Sequence, residues 1–236
     1  MLFQKRSYEA ELMDDLNLEG EALHQNLVEL EVINDWLGGN AVVLQALNSL
    51  RKRTYQPEKS TWRIADLGTG GGDVLRSIAH WARRKKQPIA LTGIDANPFM
   101  LAYATEKALA YPEIKFEQAN IFAPDFSLEG FDWVLFSLFC HHFTEEELVK
   151  LFRQVYQQAS KGFIINDLHR HPLAYYSIWA ITRLVRGSYL VQNDAPLSVA
   201  RAFKRSEIER LLKQAGIPHY HIQWKWAFRW QVIVWK

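Results

Sequence analysis

The residues with the clearest chemical potential lie in Ile64-Ala-Asp-Leu-Gly-Thr-Gly-Gly-Gly-Asp73. An apolar run leads to Asp66, then to Gly68-x-Gly70-x-Gly72, then to an amphipathic stretch. Glycines permit a sharp turn and let a ligand approach the backbone. In an open parallel sheet that ligand lies outside the carboxyl ends of the strands. A dinucleotide site needs G-x-G-x-x-G, which brings pyrophosphate to a helix N-terminus. Counting from Gly68, the third glycine of that pattern is replaced by Asp73, which repels an anion. The Gly-Lys-Ser/Thr of a phosphate-binding loop is absent. Asp66 and Asp73 suit a cationic ligand instead. Thr92-Gly-Ile-Asp95 ends the next apolar run, and its carboxylate can accept hydrogen bonds from two ribose hydroxyls.

The elements that must hold these residues are legible in the periodicity. Strands are expected at Trp62–Leu67, Ile89–Ile94, Ile114–Ala119, Trp133–Ser137 and Phe163–Asn166. Helices are expected between them at Asp73–Arg84, Pro98–Ala110 and Thr144–Ala159. Alternating β and α elements imply a parallel sheet with helices on both faces. Asn97-Pro98 places a cap before a proline in the first turn, and Thr144-x-x-Glu147 is a capping box. Residues 172–215 interrupt the alternation with further helices, and His219–Lys225 with Arg229–Trp235 reads as a closing antiparallel hairpin. Ahead of the sheet, residues 7–53 read as helices, with Leu23, Leu27 and Leu30 at helical spacing and Gly38-Gly39 as a stop. Residues 56–60 form a polar connector. The expected organisation is a helical cap over 1–56 and an α/β domain over 57–236 with a helical insert at about 172–215.

Asp66-Leu-Gly-Thr-Gly-Gly-Gly resembles motif I of the class I S-adenosylmethionine (SAM)-dependent methyltransferases. Gly93-Ile-Asp95-Ala-Asn-Pro resembles the acidic motif that follows. Glu117-Gln-Ala-Asn120-Ile-Phe resembles the adenine-reading segment, and Phe131–His142 the strand-four motif with its paired histidines. The N-terminal helices and aromatic insert resemble UbiE-like and other bacterial small-molecule methyltransferases. The resemblance implies a Rossmann-like seven-stranded mixed sheet flanked by helices, in the order 3-2-1-4-5-7-6 with strand seven antiparallel. It implies SAM as cofactor, with Gly68, Gly70 and Gly72 along the methionine portion and Asp66 near the amino group. Asp95 would bind ribose, and Asn120 and Ile121 would bound the adenine. Thr69, Ala96 and Ser137 complete the implied cofactor set. An Asp is common where Asn120 stands, and an amide can both donate and accept.

With a sulfonium leaving group already activated, the protein mainly aligns the nucleophile. A base is needed only where the nucleophile must lose a proton. His141 and His142, following strand four, are the candidates. Asp167 could orient a histidine or the acceptor, and Arg170 could hold an anionic acceptor group beside His169. The alternative is a local loop network in which Asn166 or Asp167 caps the next helix. Tyr175, Tyr176 and Trp179 lie on an aromatic helix that serves either as an apolar acceptor wall or as core. Residues 198–205, with Arg201, Lys204 and Arg205, read as a solvated helix face first and as a site for an acidic group second. The N-terminal helices could cover the cofactor, form a dimer face or simply pack.

The expected activity is methyl transfer to a small, apolar aromatic, quinone- or polyketide-like acceptor, at oxygen first and carbon second. A noncatalytic SAM-binding module is the alternative from a different class. A net charge of +2 argues against a phosphate-tracking groove, and Ser137-Leu-Phe-Cys140 lacks the Asn/Asp-Pro-Pro-Tyr/Phe of nucleic-acid amino methylases. An NAD-dependent dehydrogenase is weaker again. No clustered acidic ligands can be assembled, so no metal is expected. Apolar residues make up 48% and charged residues 23% of the chain, as in ordinary globular proteins. One cysteine, no signal pattern and no run long enough to span a bilayer point to a cytoplasmic monomer or homodimer. Four of the nine tryptophans fall in the last thirteen residues and are expected mainly in the core.

Overall fold

The computed structural model describes residues 3–53 and 60–236. The expected domain boundary at 56/57, and most of the polar connector around it, lie outside the described residues.

Seven strands form one sheet: β1 (Trp62–Leu67), β2 (Ile89–Asp95), β3 (Ile114–Gln118), β4 (Trp133–Ser137), β5 (Gly162–Leu168), β6 (Tyr220–Lys225) and β7 (Arg229–Trp235). Their order is β3-β2-β1-β4-β5-β7-β6. The first five pair in parallel, β7 runs antiparallel to β5, and β6 antiparallel to β7. This is the expected sheet. Among the described residues the eight α-helices are α1 (Glu21–Trp36), α2 (Gly39–Arg53), α3 (Asp73–Lys85), α4 (Pro98–Lys107), α5 (Glu145–Gln158), α6 (Pro172–Leu184), α7 (Tyr189–Arg201) and α8 (Arg205–Gln214).

Strands buried on both faces carry near-continuous apolar runs. Ile64, Leu135, Ile164 and Ile233 face α2 and α3, while Ala65, Leu67, Val134, Phe136 and Phe163 face α5 and α8. In that pattern Asp66, Ser137 and Asn166 are the polar interruptions, each near the carboxyl end of its strand. The caps form as the sequence directs. Asn97 Oδ1 accepts from the N–H groups of Phe99 and Met100, and Thr144 exchanges hydrogen bonds with Glu147.

Three expectations are corrected. Residues 7–20 hold no α-helix; they run extended, with a single 3-10 turn at Leu12–Asp14. Other elements satisfy its backbone groups: Asp194 accepts from the Leu12 and Met13 N–H groups, and Ser7 N–H donates to the Ala200 carbonyl. The 198–205 segment is not a solvated face: Arg201 is only 5% exposed. Of the terminal tryptophans, Trp230 is in the core and Trp235 packs against it, but Trp224 and Trp226 are exposed, the latter by 72%.

Candidate functional site

The glycine loop joins β1 to α3 through three positive-φ glycines: Gly68 (67°), Gly70 (50°) and Gly72 (72°). Non-glycine residues seldom adopt this region. At Gly68 space is restricted as well. A Cβ there would lie 2.0 Å from the Phe139 ring, so that ring lies directly on the loop. Around Gly70 the space is open to at least 4 Å.

Two carboxylates face this loop. Asp66 is 2% exposed. Its Oδ2 accepts from the Thr69 hydroxyl at 3.0 Å, and its Oδ1 is enclosed with no hydrogen-bond partner. Burial, helped by the nearby Asp73 and Asp95 charges, pushes this carboxyl up to about 8 despite the Thr69 bond. An enclosed acceptor held against its ionised form fits a cationic group such as an ammonium. Asp95, at the end of β2, accepts from Gly70 N–H at 2.9 Å and from Asn97 N–H at 3.0 Å, one per oxygen. Burial raises its pKa against the pull of those backbone bonds. Each oxygen keeps acceptor capacity for a ribose hydroxyl. Ala96 accepts from the Gln118 amide through its carbonyl. Ile121 is buried beyond β3, whereas Asn120 is exposed and uses Oδ1 to accept from Phe122 N–H at 2.9 Å.

Behind the loop lies a polar layer that sequence reasoning missed. Asn34 donates to Asp73 Oδ2 (2.8 Å) and to Asn40 Oδ1 (3.0 Å), and accepts from Arg229 (3.2 Å). Gly39 is required here, because a Cβ would lie 1.7 Å from Asn34 Oδ1. Asn166 donates to Ser137 Oγ (2.9 Å) and to the Gly39 carbonyl (3.2 Å). Arg229 is 2% exposed, and burial pushes it down to about 10 while Asp167 and Asp73 act against that shift.

Past β4 the chain passes Leu138 at positive φ and enters a 3-10 turn, Cys140–His142. The two imidazoles stand 4.3 Å apart, centroid to centroid, and differ in surroundings. His141 is buried. Its Nδ1 lies 2.8 Å from Asp167 Oδ1, and its Nε2 lies 3.6 Å from Glu11 Oε1. Burial pushes the Asp167 carboxyl up, but His141 and the Leu168 N–H outweigh it and hold the group below its ordinary value. Burial raises Glu11 to about 7 against the pull of His142, Ser198 and Arg201. His142 is partly exposed. Its Nδ1 lies 2.6 Å from Asp14 Oδ1, and its ring adjoins Phe139, which covers Gly68. Phe139, Phe143 and Phe122 continue as an edge-to-face row with centroids 4.8 and 5.2 Å apart.

Glu11, His141 and His142 bring one potential metal-ligand atom each within 4.8 Å of the others. That set is already charge-matched: Arg201 Nε lies 3.6 Å from Glu11 Oε1, and His142 Nδ1 is engaged by Asp14.

The expected acceptor residues are not gathered at this point. Arg170 is a correction: it is fully buried, its guanidinium forked onto Glu207 at 2.6 and 2.9 Å and bonded to the Ala202, Phe3 and Gln4 carbonyls. No donor of this kind is left for an acceptor. His169 lines a cleft of about 740 Å³ with Lys204 and Arg205, which includes no glycine-loop or histidine-pair residue. Tyr175 and Trp179 line another, of about 910 Å³, with Arg6, Arg183 and Tyr189; Tyr176 is 59% exposed. The cap of α6 is His171, not Asn166 or Asp167.

A family model described as a methyltransferase domain matches residues 64–162, the span from β1 to the start of β5. The fold is shared with the plantazolicin methyltransferase BpumL, solved with S-adenosylhomocysteine (SAH): TM-score 0.65 at 18% identity, over 92% of this chain and 99% of that one. Human N-acetylserotonin methyltransferase, solved with SAM, gives TM-score 0.65 at 16% identity, over 98% of this chain and 60% of that one. The citrinin polyketide synthase CMeT domain gives 0.60 at 16% identity, over 80% of this chain and 49% of that one. The chain thus spans about half to three fifths of the length of two of these structures. No curated protein matches it in sequence. The sheet order is that of a Rossmann-like fold, the fold these solved methyltransferases share, and the methyltransferase-domain match covers its β1-to-β5 part. Among the described residues no helix is long and apolar enough to cross a membrane.

Proposed function

We propose that the chain methylates a hydroxyl of a small, apolar aromatic or polyketide-like acceptor, with His142 removing the hydroxyl proton. The observation that carries this reading is the place of His142. It is the partly exposed member of the histidine pair, and it touches the phenylalanine that lies on the glycine loop.

SAM, when bound, supplies an electrophilic methyl group on a sulfonium. In this reading SAM is the cofactor: Asp66 would receive the ammonium on its unpaired oxygen, and Asp95 the ribose hydroxyls. The glycine loop, Thr69, Ala96 and Ser137 would line the stretch between them, and Ile121 and Asn120 would bound the adenine. The row Phe122, Phe143 and Phe139 offers an apolar wall for an aromatic acceptor beside His142. His141 and Asp167 form a buried pair behind it that holds the turn in place. Methyl transfer to a hydroxyl oxygen needs a base to take its proton, and the partly exposed His142 is the group placed to do so.

The test is methyl transfer from isotopically labelled SAM to a panel of phenols, quinols and β-keto compounds, with the methylated atom located by NMR. A methyl ether formed by the parent, and lost in His142→Gln, supports the reading. Methylation only at carbon overturns the oxygen assignment. SAM binding without turnover across the panel favours a noncatalytic module.

A further inference from the structure

We infer that Asp14, on the extended segment ahead of α1, is the positioning residue for His142, fixing the tautomer in which Nε2 is the bare, proton-accepting nitrogen. This rests on the reading of His142 as base.

The sequence separation is 128 residues, and the contact is 2.6 Å between Asp14 Oδ1 and His142 Nδ1. An ionised carboxylate only accepts, so Nδ1 must carry the proton and donate it. In the neutral ring Nε2 is then the acceptor. The Asp14 carboxylate is held from three sides. Its Oδ2 accepts from Arg201 Nη1 at 2.6 Å and from the Glu11 N–H at 2.9 Å. Burial pushes this carboxyl up, but His142, Arg201 and the Glu11 N–H together hold it well below the usual carboxylate range.

Arg201 fixes both ends of the pair. Besides Asp14, it donates to the carbonyls of His142 (2.7 Å), His141 (3.2 Å) and Glu9 (3.0 Å). The 3-10 turn that carries Asp14 is pinned in turn by Asp194 of α7, which accepts from Leu12 and Met13 N–H at 2.9 and 3.1 Å. Arg6 adds bonds to the His141 and Phe143 carbonyls, both 3.1 Å. The other charged or titratable groups facing His142 are Glu11 at 4.0 Å, the tilted His141 ring, and Asp95 and Asp167 at longer range. Among the described residues, Asp14 alone meets Nδ1 at hydrogen-bond distance. The N-terminal segment therefore completes the base instead of merely covering the cofactor.

The readout is the ¹⁵N spectrum of histidine-labelled protein saturated with SAH, because imidazole nitrogen shifts distinguish the two tautomers. His142→Gln identifies the resonances. The parent is expected to show His142 protonated on Nδ1 in its neutral form. Asp14→Ala is expected to shift the population to Nε2–H and to lower kcat by about 100-fold, within the span that general-base catalysis contributes, with SAM affinity unchanged. Asp14→Glu is expected to restore part of both signals. Asp14→Asn, the same shape without the charge, keeps the segment docked if the alanine variant loosens it, and is expected to lose the fixed tautomer. An unchanged His142 tautomer in both Asp14→Ala and Asp14→Asn overturns the proposal. Full activity in His142→Gln together with a shifted tautomer in Asp14→Ala would remove the base assignment and leave the positioning contact standing.

Discussion

Asp66 gives one carboxylate oxygen to the Thr69 hydroxyl at 3.0 Å and keeps the other enclosed without a donor. Its pKa of about 8 makes it largely protonated at pH 7 before the cofactor arrives. An ammonium beside it stabilises the ionised form. SAM binding at pH 7 is therefore expected to release close to one proton. Calorimetry in buffers of different ionisation enthalpy measures this. Affinity should rise between pH 6 and 8, and Asp66→Asn should abolish the release. Binding with no proton exchange would mean that the carboxyl is already ionised in the free protein.

Glu11 supplies a second pH dependence. Its folded value of about 7 stands above the ordinary 4.5. A carboxyl raised on folding stabilises the folded state below its unfolded pKa, and that contribution is lost as pH rises through the folded pKa. Urea midpoints of the unliganded protein should thus fall between pH 5 and pH 8. Glu11→Gln should flatten that fall, with Asp66 accounting for the remainder up to about pH 8. Parallel curves for parent and variant would show that Glu11 is not titrating in this window.

The Arg170–Glu207 fork is structural. Glu207→Gln leaves a fully buried guanidinium short of its counter-charge. The expected loss is about 3 kcal/mol, the low end for breaking a buried pair, because Glu207 is partly exposed. Denaturation should show this loss while SAM affinity stays within twofold. A large change in acceptor KM without a stability change would restore Arg170 to the acceptor site.

Gly68→Ala combines two costs, a positive φ worth about 1–2 kcal/mol and a Cβ 2.0 Å from Phe139. SAM affinity should fall by more than tenfold. Adding Phe139→Ala removes the steric conflict and leaves the backbone cost, so part of the affinity should return. No recovery would assign the whole effect to the backbone.

The sheet and the glycine loop were readable because their signals are local. Strands β1 and β4 have the expected bounds, and β2, β3 and β5 differ by one or two residues. Asp66, the three glycines and Asp95 fall within thirty residues of one another. The network around the histidine turn was not readable for the opposite reason. Glu11 and Asp14 sit in a short polar stretch with no periodicity, and their partners lie 128 to 187 residues away. Arg201 has the sequence surroundings of a surface cation, yet it is enclosed between residues 9–14 and the histidine turn. Asn34 and Arg229 meet across 195 residues. The one available hint was Glu11-Leu-Met-Asp14-Asp15, an acidic cluster ahead of a helix.

The clasp of residues 6–14 onto the histidine turn and α7 also dictates an order of assembly. That segment leaves the ribosome long before Arg201 and Asp194 do, and contacts of such sequence separation form late. A nascent chain that has reached β5 already owns the glycine loop and both cofactor carboxylates, but its imidazole is still unheld. The ability to bind SAM should therefore mature before the ability to use it, with the closing of the N-terminal clasp as the step that separates the two.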